Sequence, residues 1–288
     1  MTHYTSYDLI EWGKPFEKRQ NALPEPTGPE VLVRVTAAGL CHSDLHVQKG
    51  FMDLGQEGKL TFAERGAVLP MTFGHEVAGI VQAVGPEVNS VKPGQQVLVF
   101  PWIGCGECDA CNEDRESDCA TMRIIGLKQK GGFATHCLVE HDKFLVDIDG
   151  LDAADVVPHA CSGITVFNAL EKMGALRSDE WIAIMGCGGL GMNAISIARA
   201  MGFNNIIAVD IDNGKLEAAL EMGATKALNS KNDDAVSELQ KLAEGRLMGV
   251  LDTFGGAATG RIAVRALSKA GRYLLVGQAG GDFQMPQV

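Results

Sequence analysis

From about residue 178, the sequence alternates between short apolar runs and segments with the length and composition of helices. Strands are predicted at 181–186, 205–210, 226–228, 249–256 and 272–277. Helices are predicted between them, at 191–202, at 213–223, around 235–245, and through Leu267. Strands that alternate with crossover helices form parallel sheets with helices on both faces. The second half of the chain is therefore predicted to be a doubly wound α/β domain.

The first half of the sequence shows a different pattern, in which short β-rich runs are separated by turns that contain proline and glycine. Strands are predicted at 31–39, 76–85 and 95–100. This pattern is typical of an irregular, mostly β domain with a barrel-like core. Because 288 residues fit two domains better than one, we predict a mostly β domain at 1–155 and the doubly wound domain at 156–288.

The number of predicted parallel strands is smaller than usual. A complete dinucleotide-binding sheet typically has six strands, whereas the sequence provides five before it stops at Val288. We therefore expect the chain to be a fragment, or an unusually short member of its class.

Composition and charge exclude several classes of function. The formal net charge is -11, and no basic stripe is visible, so neither a nucleic acid nor a membrane surface is expected as a partner. We find no N-terminal signal sequence and no apolar run near the roughly 20 residues that span a bilayer. Eight cysteines in such a chain indicate a reducing compartment and metal ligation. We expect a cytoplasmic protein.

A glycine-rich motif joins the first strand of the second half to the helix that follows. Gly186, Gly188 and Gly191 stand in the order Gly-x-Gly-x-x-Gly, which is typical of a loop that binds the pyrophosphate of a dinucleotide. The site would also include Gly189 and Leu190, since a helix N-terminus favours an anion. The alternative, an unliganded strand-to-helix turn, is less consistent with this context.

An acidic residue completes the dinucleotide pattern. Asp210 ends the second strand of this half, where a carboxylate accepts hydrogen bonds from the adenosine ribose and repels a 2′-phosphate. Ile211 follows at a position where chains that bind NADP often have a basic residue. The sequence therefore predicts NAD rather than NADP. Lys215 could also reach the ribose, although a solvated surface lysine is equally consistent with its position.

Four cysteines with the spacing Cys-x2-Cys-x2-Cys-x7-Cys lie within one short segment. They are Cys105, Cys108, Cys111 and Cys119. Four thiolates on one loop can complete a tetrahedron around a single zinc ion and leave no position for water or substrate. A structural zinc is therefore predicted, in preference to unrelated thiols or a redox cluster.

A second set of metal-ligating residues is spread over three segments. Cys41 begins the string CHSDLH, His75 lies in Gly-His-Glu, and Cys161 lies in HACSGIT. Two cysteines and one histidine would hold a catalytic zinc with its fourth position open. By itself, Cys161 is about equally consistent with a small buried residue.

These motifs, in this order, resemble the zinc-dependent alcohol dehydrogenases of the medium-chain dehydrogenase/reductase superfamily. The resemblance extends over essentially the whole chain and includes CHSDLH, GHE, the four-cysteine loop, CSGIT and GCGGLG. It implies a GroES-like, mostly β catalytic domain and a Rossmann domain, with the active site between them. It also implies two zinc ions per chain, one catalytic and one structural, together with NAD and a homodimer or homotetramer.

The resemblance assigns roles to further residues around Cys41. Ser43 matches the hydroxyl that touches the zinc-bound alcohol, and His46 matches the outer end of a proton relay. Asp44 resembles the carboxylate that orients the histidine ligand, and Glu76 the acid that can approach the metal. His42 matches a position near the cofactor pyrophosphate. From the residues alone, Ser43 and Asp44 could instead form a turn or helix cap, and His46 could be a surface histidine.

The interval between Cys41 and His75 is about ten residues longer than in the short family members. The additional segment, 50–70, borders the substrate cleft in relatives, so Phe51, Met52, Leu54 and Phe62 are candidate pocket residues. A simple surface excursion is an equally good interpretation.

The sequence thus predicts a zinc- and NAD-dependent oxidoreductase that interconverts alcohols with aldehydes or ketones. A polyol or amino-alcohol dehydrogenase of the same superfamily is the alternative, but such enzymes often use a carboxylate where this chain has Cys161. A non-catalytic scaffold that binds zinc and NAD is the other alternative, which the short C-terminus leaves open.

Overall fold

The computed structural model describes residues 3–282, and the chain divides into two compact units. The first unit contains the described residues up to Met52, together with Leu60–Cys161. The second unit contains Asp53–Lys59 and the described residues from Ser162 onward. Within residues 3–282, no helix combines the length and apolar character needed to cross a membrane.

The part of the chain before residue 162 consists mainly of short strands. These are β1 (His3–Leu9), β2 (Glu17–Ala22), β3 (Val31–Gly39), β4 (Phe51–Asp53), β5 (Lys59–Thr61), β6 (Met71–Thr72), β7 (Glu76–Val84), β8 (Gln96–Val99), β9 (Trp102–Ile103), β10 (Arg123–Ile124), β11 (His136–Val139) and β12 (Leu145–Asp147). The helices of this part are α1 (His42–Lys49), α2 (Asp109–Asn112) and α3 (Ala153–Val156).

A five-stranded antiparallel sheet forms the centre of the first unit. Its strand order is β11-β3-β7-β8-β12. Valines at alternate positions, such as the pair Val31 and Val33 and the pair Val97 and Val99, point into one buried cluster, because successive side chains of a strand face opposite sides of the sheet. The strands predicted at 31–39, 76–85 and 95–100 are β3, β7 and β8.

Within the segment at 50–70, β4 and β5 pair as a two-stranded ribbon. Phe62 follows this ribbon and is only 8% exposed, packed in a hydrophobic cluster with Leu9, Val47 and Phe73. Phe62 therefore belongs to the core of the first unit, whereas Asp53–Lys59 belong to the second unit. In the second unit, the backbone N–H of Gln56 donates to the carboxylate of Asp282 at 3.0 Å.

The second unit is built on a parallel five-stranded sheet, as the alternating pattern predicts. Its strands, in the spatial order β15-β14-β13-β16-β17, are β13 (Trp181–Met185), β14 (Ile206–Asp210), β15 (Lys226–Asn229), β16 (Leu247–Asp252) and β17 (Arg272–Leu275). Its helices are α4 (Ser162–Met173), α5 (Gly189–Ala200), α6 (Asn213–Met222), α7 (Ala235–Leu242) and α8 (Ala257–Ala266).

Three details of this unit differ from the sequence predictions. Helix α4 is not among the predicted helices. Its buried residues nevertheless follow helical periodicity; they are Val166, Ala169, Leu170 and Met173. Helix α5 begins at Gly189 rather than at residue 191. The predicted strand 249–256 ends at Asp252, because the side chain of this residue accepts hydrogen bonds from the N–H groups of Phe254 and Gly255 and turns the chain.

Candidate functional site

The four cysteines of the loop at 105–119 are brought together. Their sulfur atoms all lie within 4.8 Å of one another, and Cys108 Sγ lies 3.5 Å from Cys111 Sγ. A Cβ atom at Gly104 would lie 2.6 Å from Cys111 Sγ, so only glycine permits this close approach. Four thiols in this arrangement fit a closed tetrahedral zinc site.

The second predicted cluster is also assembled within the first unit. Cys41 lies directly before α1, His75 directly before β7, and Cys161 directly before α4. Their ligand atoms and a carboxylate oxygen of Glu76 all lie within 4.8 Å of one another, and the two sulfurs are 3.9 Å apart. Two thiols and an imidazole fit an open zinc site, with Glu76 as a nearby fourth group.

Asp44 connects two of these ligands. Its Oδ1 lies 3.4 Å from His75 Nδ1, while its Oδ2 accepts a hydrogen bond from the Cys41 backbone N–H at 2.9 Å. The carboxylate is almost fully buried. Asp44 can therefore be both a helix cap and the carboxylate that orients the histidine ligand, since one oxygen bonds at the start of α1 and the other faces the ring of His75. An Nδ1–H bond to a carboxylate directs Nε2 of the imidazole toward the other ligands.

The charges of the cluster are strongly coupled. Burial by itself lowers the pKa of His75, but hydrogen bonds to Asp44 and Cys41 and the charges of both outweigh it and raise this pKa to about 10. The hydrogen bond shared with Cys161 lowers the pKa of Cys41, burial opposes this change, and contacts with His75 and the Ser43 N–H lower the pKa further. The shared hydrogen bond raises the pKa of Cys161. Cys41 is therefore the thiol that ionises first.

Glu76 differs from the other acidic residues at this site. Burial raises its pKa to about 7, and the negative charge of Cys41 contributes in the same direction. Its carboxyl group packs directly against Gly39 of β3, where a Cβ atom would lie 1.9 Å from Glu76 Oε2. Glu76 is therefore fixed against the cluster and takes up a proton near neutral pH.

Three further predicted residues lie on α1. His42 and His46 are one helical turn apart, and their rings meet edge to face with centroids 4.8 Å apart. Ser43 lies in the first turn of the same helix and is partly buried. Cys41 is the N-cap of α1. The helix that carries these three side chains thus starts at the metal cluster.

The glycine-rich motif forms the turn between β13 and α5 in the second unit. Gly186 has a φ of +90°, which favours glycine. A Cβ atom at Gly191 would lie 1.8 Å from the Gly186 carbonyl oxygen, whereas among the described residues no atom beyond the immediate neighbours lies within 4 Å of a Cβ placed at Gly188 or Gly189. The N-terminus of α5 is therefore open to a ligand, and Leu190 packs on the core behind it.

Asp210 lies at the carboxyl end of β14, beside this turn. Its Oδ2 accepts the Cys187 N–H at 2.7 Å, and its Oδ1 accepts the N–H groups of Ile211 and Asp212 at 2.7 and 3.0 Å. Three backbone donors thus hold the carboxylate in one orientation. Lys215 lies exposed in the first turn of α6.

Two family models match the chain. The alcohol dehydrogenase GroES-like domain matches residues 27–150, and the zinc-binding dehydrogenase domain matches residues 189–288. An NAD-dependent alcohol dehydrogenase of Sulfurisphaera tokodaii is 37% identical over 278 residues, which are 96% of this chain and 79% of the relative. A sorbitol dehydrogenase of Bacillus subtilis is 31% identical, over 88% of this chain and 70% of the relative.

Solved structures show the same relationship. The alcohol dehydrogenase of Aeropyrum pernix superposes with a TM-score of 0.86 at 28% identity, covering 98% of this chain and 80% of that structure. The D-arabinose dehydrogenase of Sulfolobus solfataricus superposes with a TM-score of 0.85 at 29% identity, covering 99% and 84%. The predicted fold class, a GroES-like mostly β domain with a doubly wound parallel sheet, is therefore confirmed. On this evidence, the chain belongs to the zinc-type alcohol dehydrogenases of the medium-chain dehydrogenase/reductase superfamily.

Proposed function

We propose that this protein is an NAD-dependent oxidoreductase that interconverts alcohols with aldehydes or ketones by hydride transfer. The observation that carries the proposal is the convergence of Cys41, His75 and Cys161 on one point, in a chain whose second unit has an accessible dinucleotide loop. The GroES-like domain is assigned to residues 1–155 and the NAD-binding domain to 156–288.

Cys41, His75 and Cys161 would hold a zinc ion that, when bound, acts as a Lewis acid and lowers the pKa of an alcohol. Asp44 contributes by holding the imidazole of His75 through Nδ1, because a carboxylate at this position fixes the ring and its tautomer. Glu76, with its raised pKa, can approach the cluster as a fourth group.

The side chains of α1 supply a route for the proton that an alcohol releases. The Ser43 hydroxyl both donates and accepts, so it can pass a proton without carrying charge. His46 lies one turn further along the helix, and an imidazole can both accept a proton and release it, which suits the transfer of that proton to solvent. His42 is assigned to the neighbourhood of the cofactor pyrophosphate.

The loop at Gly186, Gly188, Gly189, Leu190 and Gly191 would bind the pyrophosphate of NAD, with Asp210 on the adenosine ribose. Lys215 is assigned to the outer side of the same ribose. The four-cysteine loop would hold a second, structural zinc, which gives two zinc ions per chain. A cytoplasmic location and a homodimeric or homotetrameric assembly complete the proposal.

A polyol substrate is the second candidate, supported by the similarity to a sorbitol dehydrogenase and to a D-arabinose dehydrogenase. The third ligand is a thiol, Cys161, rather than a carboxylate. This donor set favours simple alcohols as substrates.

The function is tested by mixing the purified protein with NAD and a set of alcohols and following NADH absorbance. Ethanol, benzyl alcohol, a secondary alcohol and sorbitol separate the two substrate classes, and metal analysis gives the zinc content. We expect two zinc ions per chain and turnover of simple alcohols that increases with pH, because an alcohol must lose a proton before it can release a hydride. Binding of NADH without turnover of any alcohol would identify a scaffold instead.

The choice of NAD over NADP is expected to depend on the charge of Asp210. Asp210→Asn should reduce the ratio of NADH to NADPH affinity about 10- to 100-fold, because a carboxylate beside a 2′-phosphate costs several kcal/mol. Fluorescence titrations with both cofactors measure the ratio. Asp212→Asn is the matched control, since Asp212 carries the same charge but caps α6 through the Lys215 N–H. An unchanged ratio in Asp210→Asn would remove this residue from cofactor selection.

A further inference from the structure

A buried hydrogen-bond network lies beside the glycine-rich turn. It is centred on Asp252, the last residue of β16, whose exposed fraction is 0%. Its Oδ1 accepts the N–H groups of Phe254 and Gly255 at 3.0 and 2.8 Å, and its Oδ2 accepts the hydroxyl of Tyr273 at 2.9 Å. A buried carboxylate with three donors is well satisfied, so Asp252 fixes the conformation of the loop that follows it.

Thr253 is the residue in this loop that contacts the glycine-rich turn. Its backbone N–H donates to the carbonyl oxygen of Met185 at 2.9 Å. Its hydroxyl lies 2.9 Å from that same oxygen and 2.8 Å from the carbonyl oxygen of Gly186. Carbonyl oxygens only accept, so the single hydroxyl hydrogen is shared between the two oxygens.

The peptide group between Gly186 and Cys187 is therefore held at both of its polar atoms. Its carbonyl oxygen accepts from Thr253, and its N–H donates to Asp210 Oδ2 at 2.7 Å. A rotation of this peptide plane would break both hydrogen bonds together. Thr253 and the ribose-binding carboxylate are thus connected through one peptide group.

The packing around this peptide group is also tight. A Cβ atom at Gly186 would lie 3.0 Å from Thr253 Oγ1, and one at Gly191 would lie 1.8 Å from the Gly186 oxygen. The carbonyl of Gly186 is therefore enclosed between the start of α5 and the hydroxyl of Thr253. The hydroxyl lies at hydrogen-bond distance from two carbonyl oxygens, and a methyl group in its place cannot make these hydrogen bonds.

We infer that Thr253 is a positioning residue for the dinucleotide site. Its hydroxyl holds the Gly186–Cys187 peptide in the orientation that presents the N-terminus of α5 to the pyrophosphate and keeps Asp210 aimed at the ribose. Asp252 and Tyr273 support this arrangement by fixing the loop that carries Thr253. The inference rests on the proposed use of NAD.

The test compares Thr253→Val, which keeps the shape and removes the hydroxyl, with Thr253→Ser, which keeps the hydroxyl. Thr253→Val should bind NADH about tenfold more weakly, because one good hydrogen bond to a buried carbonyl is lost. In the protein without cofactor, amide hydrogen exchange of residues 185–191 should become about tenfold faster. Thr253→Ser should restore both measurements to within about twofold of the unmodified protein.

Thr225→Val is the matched control, because the Thr225 hydroxyl also donates to a backbone carbonyl, that of Asn204, and accepts the Ile206 N–H, at the opposite end of the same sheet. It should change neither NADH affinity nor exchange at 185–191. Unchanged exchange in Thr253→Val would overturn the inference, even if NADH affinity fell, since the hydroxyl would then act on the cofactor directly. If the unmodified protein does not bind NADH, the proposed cofactor is wrong, whereas exchange still decides whether Thr253 holds the loop.

Discussion

Replacement of Cys161 by alanine is expected to lower kcat/KM for alcohol oxidation at least about a thousandfold, because a lost Lewis acid removes several kcal/mol of transition-state stabilisation. The zinc content should fall from two ions per chain to one. Cys161 shares a hydrogen bond with Cys41, so its removal leaves one thiol and one imidazole at a site that needs three protein ligands.

Cys137→Ala is the matched control for this experiment. Cys137 is a buried cysteine of β11 that packs among the valines of the first unit, and burial raises the pKa of its thiol to about 12. The control should retain both zinc ions and alcohol oxidation within about threefold, since only a small core side chain is shortened. Full zinc content and full activity in Cys161→Ala would show that Cys161 is a packing residue.

Replacement of Cys111 by alanine is expected to lower Tm by about 10 °C, while alcohol oxidation of the folded protein at 25 °C stays within about threefold of the unmodified protein. Cys111 is buried and belongs to the loop whose four thiols face one another. A structural zinc contributes directly to folding free energy, whereas a closed shell of four ligands gives it no access to substrate.

Calorimetry, zinc analysis and activity on the same samples measure these effects. Asn112→Ala is the control, because Asn112 lies next to Cys111 but is exposed, and its side-chain amide donates to the Glu107 carbonyl rather than to a cysteine. Its Tm should change by no more than about 2 °C, as is usual for surface substitutions. Loss of activity before loss of stability in Cys111→Ala would mean that the four-cysteine loop takes part in the reaction.

Sequence patterns were sufficient for the parts of the molecule that depend on local order. The alternation of apolar strands and helices predicted the parallel sheet from β13 to β17, because each strand must be buried on both faces by the helices beside it. The four cysteines lie so close in sequence that their convergence needs only a short loop, and Gly104 leaves room for Cys111. The turn at Gly186 could also be predicted, because its three glycines lie within one short segment.

Contacts between residues that are far apart in the sequence could not be predicted from local sequence patterns. Phe62 is one of four candidate pocket residues in a segment for which a surface excursion is an equally good interpretation, and the structure packs it with Leu9, Val47 and Phe73. No local pattern distinguishes these environments. Helix α4 has a recognisable helical periodicity, but it begins inside CSGIT, a motif that indicates a metal ligand rather than the start of a helix.

The sequence by itself therefore determined the two kinds of domain, and it predicted two sets of candidate metal ligands and the dinucleotide motif, because residue types, spacings and the order of motifs can all be read along the chain. The family resemblance implied that Asp44 orients the histidine ligand and that Glu76 can approach the metal, and the structure places Asp44 Oδ1 3.4 Å from His75 Nδ1. Only the tertiary structure brought the hydroxyl of Thr253 to the carbonyl of Gly186. The physical reason is that hydrogen bonds and charge coupling act over a few ångströms. The distances among residues 41, 75, 161 and 253 are fixed only when the strands and helices between them have packed.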